Sequence, residues 1–266
     1  MRIVRFQDAS GAVFFGERVG DGTAKKIEGN IYDSYRVSEE PTKIAKLLAP
    51  IEPRTTFCIG LNYRAHAAES GKAVPELPVV FMKGANATQN PGDPIVIPAV
   101  EPDATDYECE LAVVIGRAAK NVSEEDALLY VLGYTCANDV SGRTWQMEKG
   151  GGQWSRGKTF DTFCPLGPEL VTPDEIADPN DLRISTVLNG EVMQDSSTKD
   201  MIFNIPALIH FLSLGTTLLP GTVILTGTPQ GVGFARDPKR CLRAGDEVTV
   251  EIEKIGKLTN PVILES

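Results

Sequence analysis

Residues 106–116, DYECELAVVIG, decide how the chain is read. The half LAVVIG is a short apolar run, rich in β-branched residues and closed by glycine, which is the pattern of a buried strand. Side chains two apart share a face of a strand. Asp106, Glu108 and Glu110 are therefore expected on one side, with Tyr107, Cys109 and Leu111 on the other. Acids are poor strand formers. Neighbours on one face lie roughly 6–7 Å apart, and at an effective dielectric of about 20 two such charges repel by roughly 2–3 kcal/mol. Either the three acids form a solvated face, or a bound cation removes the repulsion.

Asp139 adds weight to the cation. It ends the apolar segment YTCAND just before the turn VSGR, and strand ends are where sites usually sit. Glu108, Glu110 and Asp139 would form an all-oxygen site suited to Mg²⁺, with Mn²⁺ or Ca²⁺ as alternatives, rather than to zinc. Three carboxylates leave positions for water or a chelating substrate.

The rest of the chain is compatible with a strand-rich α+β protein. Its 266 residues are 42% hydrophobic, with 18 prolines and 25 glycines, enough for one large domain or a large and a small one. A net charge of −10 argues against a nucleic-acid partner. No apolar run reaches the roughly 20 residues of a membrane span, and the start, MRIVRFQDAS, lacks the apolar core of a signal peptide. The five cysteines form no CxxC pair and are expected to be reduced core residues, so the expected location is cytoplasmic or, in a eukaryote, an organelle matrix.

Residues 1–53 are expected to form a small N-terminal α/β domain, with a hairpin from MRIVRF and GAVFFGERV and a short amphipathic helix in SEEPTKIAKLLAP. Residues 54–266 would carry the site. There TTFCIG, PVVFMK, DPIVIP and TVILTGTP read as strands, and SEEDALLYVLG reads as a helix capped by Ser123. RISTVLNGEVMQD is a hairpin with Asn189-Gly190 at its turn, IPALIHFLSLG a buried helix, and EVTVEIEKIGKLTNPVIL a final hairpin.

Further candidates have two readings each. His66 and Glu69 sit three apart, so one helical turn would let the acid orient the imidazole for proton transfer, or they form a surface pair. His210 lies among apolar residues and reads as a core residue. GQWSRGKT, 152–159, satisfies the phosphate-loop pattern and would make Lys158 a nucleotide ligand. Its context does not fit, because such a loop joins a buried strand to a helix, whereas TWQMEKGG precedes this one and FDTFCPLGP follows it. Arg143 suits a substrate carboxylate and Gln146 follows it by three residues; on the residues alone a surface arginine and a capping glutamine is the favoured reading. The backbone of TGTPQGVG could receive a carboxylate, with Thr226 and Gly227 as contacts, or be a plain tight turn.

DYECELAVVIG, YTCANDVSGR, GKTFDTFCPLGP, NGEVMQ and VILTGTPQGVG occur in an order that resembles the fumarylacetoacetate hydrolase superfamily, from about Thr56 to Val262. The closest resemblance is to the short domain-containing members, the oxaloacetate tautomerase and acylpyruvate hydrolase branch. The resemblance implies a mixed β-sandwich roll with a small N-terminal domain, a homodimer, and a divalent metal held by Glu108, Glu110 and Asp139. It implies that His66 and Glu69 activate a water or move a proton, that Lys158 contacts substrate oxygens, and that Arg143, Gln146, Thr226 and Gly227 bind substrate. Where members commonly read NDVSARD this chain reads NDVSGRT, keeping the acid and the arginine. The implied substrate is a small 2-oxo or 2,4-dioxo acid that reacts through an enolate. Tautomerisation of oxaloacetate is preferred. Acylpyruvate hydrolysis and oxaloacetate decarboxylation are the neighbouring alternatives, and a non-catalytic binding protein or a nucleotide hydrolase is the distant one.

Overall fold

The computed structural model describes residues 1–266. The strand Cys109–Ile115 is the centre of the molecule, and every residue in it is buried. Cys109, Leu111, Val113 and Ile115 face one core of 27 residues, shared with the helix Ile205–Ser213. Ala112 and Val114 face a second core of equal size. Glu110 lies on that second face, so its carboxylate sits at the end of an apolar row. Burial on both faces explains why the run is continuously apolar rather than alternating.

Two neighbours complete the centre. Val131–Asn138 pairs antiparallel with Cys109–Ile115 on one edge, and Thr222–Leu225 pairs antiparallel on the other. Thr222–Leu225 in turn runs parallel to Thr55–Gly60, which pairs with the edge strand Val79–Lys83. A second, five-stranded sheet contains the hairpin Arg183–Leu188/Glu191–Ser197, the hairpin Glu247–Ile252/Gly256–Leu264, and the short strand Ile95–Ile97. The turn between the first pair is Asn189-Gly190, both at positive φ (52° and 85°), as expected for that dipeptide.

Three expectations change. SEEPTKIAKLLAP is strand, Tyr35–Lys43 and Lys46–Leu48, and the N-terminal region contains no helix. Tyr35–Lys43 pairs on one side only, with Thr23–Gly29, and an edge strand tolerates Pro41 whereas a helix interior does not. SEEDALLYVLG forms only the 3-10 turn Ala127–Tyr130, although Ser123 does accept the Asp126 N–H. Its last residues belong to Val131–Asn138, and a Cβ at Gly133 would meet the Val171 carbonyl at 2.6 Å. Finally, Asp106 does not continue the central strand. It lies in the two-residue strand Thr105–Asp106, paired with Ser141–Gly142.

Candidate metal centre and its cavity

Register brings the acids together. Cys109 pairs with Asn138, so Glu108 stands opposite Asp139 one step further along, and the Asp139 N–H donates to the Glu108 carbonyl at 2.9 Å. Asn138 Oδ1 accepts the Glu108 N–H at 3.0 Å. Glu110 follows two residues on, and one oxygen from each of Glu108, Glu110 and Asp139 lies within 4.8 Å of the others. All three are buried.

The charges around this triad are unevenly distributed. Lys158, fully buried, donates to Glu108 Oε2 at 2.7 Å and Asp139 Oδ2 at 2.8 Å. Burial alone would lower its pKa, but Asp139 and Glu108 outweigh burial and raise it, so Lys158 is an ammonium. Burial likewise works against the Glu108 carboxylate, yet Lys158 and Arg143 hold the group down at about 2. Glu110 has only the Gly227 N–H, at 2.6 Å, as a direct donor. Burial and the charges of Asp139 and Glu108 push its pKa well above the usual carboxylate range. The cluster is short of positive charge at Glu110.

Asp139 Oδ1 gives the test of fit. Lys83 Nζ lies 2.6 Å from it, within ion-pair distance. The ammonium nevertheless spends its three N–H bonds on the carbonyls of Val140 (2.9 Å), Lys158 (2.6 Å) and Phe163 (2.7 Å). Asp139 Oδ1 therefore receives charge but no hydrogen bond, and remains a buried oxygen without a donor. A carboxylate oxygen that faces one ammonium but is given no directed hydrogen bond, beside Glu108 and a Glu110 short of positive charge, suits a hard divalent cation.

Glu108 and Glu110 of the triad open onto a cavity of about 400 Å³, with Asp139 buried behind them. Glu108, Glu110, Lys158, Arg143 and Gln146 line it, as do His66 and Glu69 from the short helix Arg64–Glu69. His66 Nδ1 is 3.1 Å from Glu69 Oε2, and Glu69 Oε1 accepts the Gly231 N–H at 2.9 Å. Burial raises the Glu69 pKa, but the bonds from His66 and Gly231 more than offset it, so the group lies below its ordinary value. The rest of the wall is largely apolar, including Phe81, Trp154 and Phe234. Sequence reasoning missed Lys83, whose only signal was a charged residue ending the apolar strand VVFMK, and Trp154, which sits against Gly60.

Other expected residues are placed differently. The Thr226 hydroxyl donates to the Leu111 carbonyl at 2.9 Å, and the Gly227 N–H is taken by Glu110. This backbone does receive a carboxylate, but the protein's own. Thr228, not Thr226 or Gly227, lines the cavity. Arg143 gives its Nε and Nη2 to Asp106 Oδ2, at 3.0 and 2.7 Å, and its Nη1 to Gln146. Asp106 itself takes no part in the triad. His210 is held by the Val122 carbonyl at 2.7 Å, away from the cavity. Residues 152–159 do not form a phosphate loop: Ser155–Lys158 is a single helical turn, no strand leads into it, and Lys158 faces the carboxylates.

This fold and site define a metal-dependent enzyme class. Residues 55–263 match the fumarylacetoacetate (FAA) hydrolase C-terminal family, and the chain belongs to that family of enzymes. It is 52% identical over 218 residues to the mitochondrial oxaloacetate tautomerase fahd2 of Xenopus laevis, covering 82% of this chain and 68% of that one. It is 50% identical over 242 residues to the fumarylacetoacetate hydrolase domain-containing protein 2 homolog of Dictyostelium discoideum, covering 88% and 79%. A solved 5-carboxymethyl-2-hydroxymuconate delta-isomerase from Mycobacterium smegmatis superposes with a TM-score of 0.88 at 41% identity over the whole of both chains.

Proposed function

We propose that the protein catalyses keto–enol tautomerisation of oxaloacetate with Mg²⁺ as its ion. The observation that carries this reading is one cavity that joins a buried three-carboxylate cluster to a His–Glu pair. The names of the relatives support it.

Glu108, Glu110 and Asp139 would hold the ion, which supplies Lewis acidity beside the substrate's 2-oxo and carboxylate oxygens. Glu69 is ionised and accepts from His66, so the imidazole carries its proton on Nδ1 and presents Nε2 as the base. His66 Nε2 takes the proton from C3 as the electron pair moves toward the 2-oxo oxygen. Lys158, already protonated, stabilises the negative charge there. Return of the proton from His66 to that oxygen completes the enol, and the reverse sequence regenerates the ketone. Gln146, whose carbonyl oxygen is occupied by Arg143, offers its amide N–H groups to a substrate carboxylate. No carbon–carbon bond breaks.

The same reading makes residues 54–266 the catalytic part and residues 1–53 an appendage, with a homodimer as the working form. All five cysteines are buried and unpaired, in keeping with a reducing compartment, cytoplasm or organelle matrix.

Ultraviolet absorbance of enol-oxaloacetate tests the assignment. Decay should accelerate with protein and Mg²⁺ over a metal-stripped control, and equal rates would refute it. Loss of acetylpyruvate instead would identify a carbon–carbon hydrolase, and release of pyruvate from oxaloacetate a decarboxylase.

A further inference from the structure

Asp106 is fully buried and accepts five N–H groups. Oδ1 takes those of Tyr107 (2.9 Å) and Gly233 (2.8 Å). Oδ2 takes Phe234 N–H (3.0 Å) and the two Arg143 donors. A carboxylate has about four lone-pair directions, so this one is saturated and has nothing left for a ligand.

Its partners lie on two different parts of the cavity. Arg143 Nη1 is also 2.8 Å from Glu108 Oε1, one of the three clustered carboxylates. Gly233 and Phe234 belong to the segment 231–235, and the Gly231 N–H of that segment holds Glu69, which holds His66. A continuous chain of polar contacts therefore runs from Glu108 through Arg143, Asp106 and segment 231–235 to Glu69 and His66. The close approach requires glycine at 233, since a Cβ there would meet the Arg240 carbonyl at 2.1 Å and Asp106 Oδ1 at 2.6 Å.

We infer that Asp106 is a positioning residue that fixes the His66–Glu69 base relative to the carboxylate cluster through segment 231–235. This rests on the tautomerase reading above. The cluster end of the chain is held independently, because Lys158 and Asn138 also bind Glu108. At the base end, the helix backbone is anchored separately, by Ala65 N–H on Asp200 and Arg64 on the Met201 carbonyl, but beyond His66 the Glu69 carboxylate is held only by the Gly231 N–H. Loss of Asp106 therefore loosens Glu69 and the imidazole it orients, while Lys158 and Asn138 keep Glu108 in place.

The test is Asp106→Asn in the full-length protein, which keeps the shape of Oδ1 but turns an N–H₂ toward three donors. Mn²⁺ binding counts intact clusters by electron paramagnetic resonance, and oxaloacetate tautomerisation is measured per bound Mn²⁺. The expected result is a fall in kcat of about 30-fold or more, of the size a small misplacement of a reacting group produces. The Mn²⁺ stoichiometry should stay near wild type, and any rise in KM for oxaloacetate, transmitted through Arg143 to Gln146, should be smaller than the fall in kcat. Gly233→Ala moves the same segment without altering the Asp106 charge, and the same loss is expected; it decides the matter if Asp106→Asn does not fold. A kcat per Mn²⁺ site within about threefold of wild type in either folded variant would leave Asp106 a fold-stabilising residue only and overturn the inference. Wild-type protein inactive on enol-oxaloacetate would instead refute the tautomerase reading.

Discussion

Glu108 and Asp139 are carried at the ends of two paired strands and fixed by Lys158, Lys83 and Arg143, all buried. Glu69 is carried on a six-residue helix, is partly exposed, and is fixed by one backbone N–H and one imidazole. Glu108 and Glu69 line the same cavity, with Asp139 buried behind its wall. The difference follows from what each must do. A cluster of like charges has to be forced together and needs counter-charges on every side. Under the proposed function the His66–Glu69 pair only has to be oriented as a base, and a carboxylate held by one backbone N–H can adjust around a substrate.

The comparison breaks most severely at Lys83. Lys83→Met should remove about 3–5 kcal/mol of stability in urea unfolding, because it strips three buried carbonyls of their donor and Asp139 of its nearby charge. A loss below about 1 kcal/mol would show that the cluster is not held as described. Glu110→Gln comes next. Activity at limiting Mg²⁺ should fall by about 10²–10³-fold. Because Glu110 is the carboxylate pushed upward by its neighbours, metal-free Tm should hold or rise, while the rise in Tm on adding Mg²⁺ disappears.

His66→Ala probes the other side. A fall in kcat of about 10²-fold is expected, with the Mg²⁺-dependent rise in Tm retained. Loss of that rise would mean the two sides are not separable. The smallest effect concerns pH. The Glu69 pKa is lowered on folding, so its contribution to stability is complete above its unfolded value, about 4.3, and is lost as pH falls through the folded value. Between about pH 5 and pH 3, Tm of wild type should fall slightly more than Tm of Glu69→Gln. Parallel curves would show that Glu69 gains nothing from His66 and Gly231.

The triad was legible because strand alternation holds from Glu108 through Glu110 and because Asp139 ends the next apolar segment. Alternation carried one step too far gave Asp106 the same face. The strand begins at Cys109, and the chain turns before it to pair Thr105–Asp106 elsewhere. Nothing local marks that turn. The helix expected at SEEDALLYVLG had a cap and a suitable pattern, but its last residues are needed beside the central strand, and tertiary pairing overrides local preference. Lys83 was invisible for another reason. Its partners lie 57, 75 and 80 residues away, so no spacing rule could find them.

The parallel pairing of Thr222–Leu225 with Thr55–Gly60 also bears on synthesis. A nascent chain emerged only as far as Pro220 carries Thr55–Gly60 and Cys109–Ile115 with open edges facing a strand not yet made. Glu110 then lacks the Gly227 N–H as well. Completion of the Glu110 end of the carboxylate cluster thus waits until residues 222–227 have left the ribosome. Chains terminated early should be aggregation-prone fragments rather than weak enzymes.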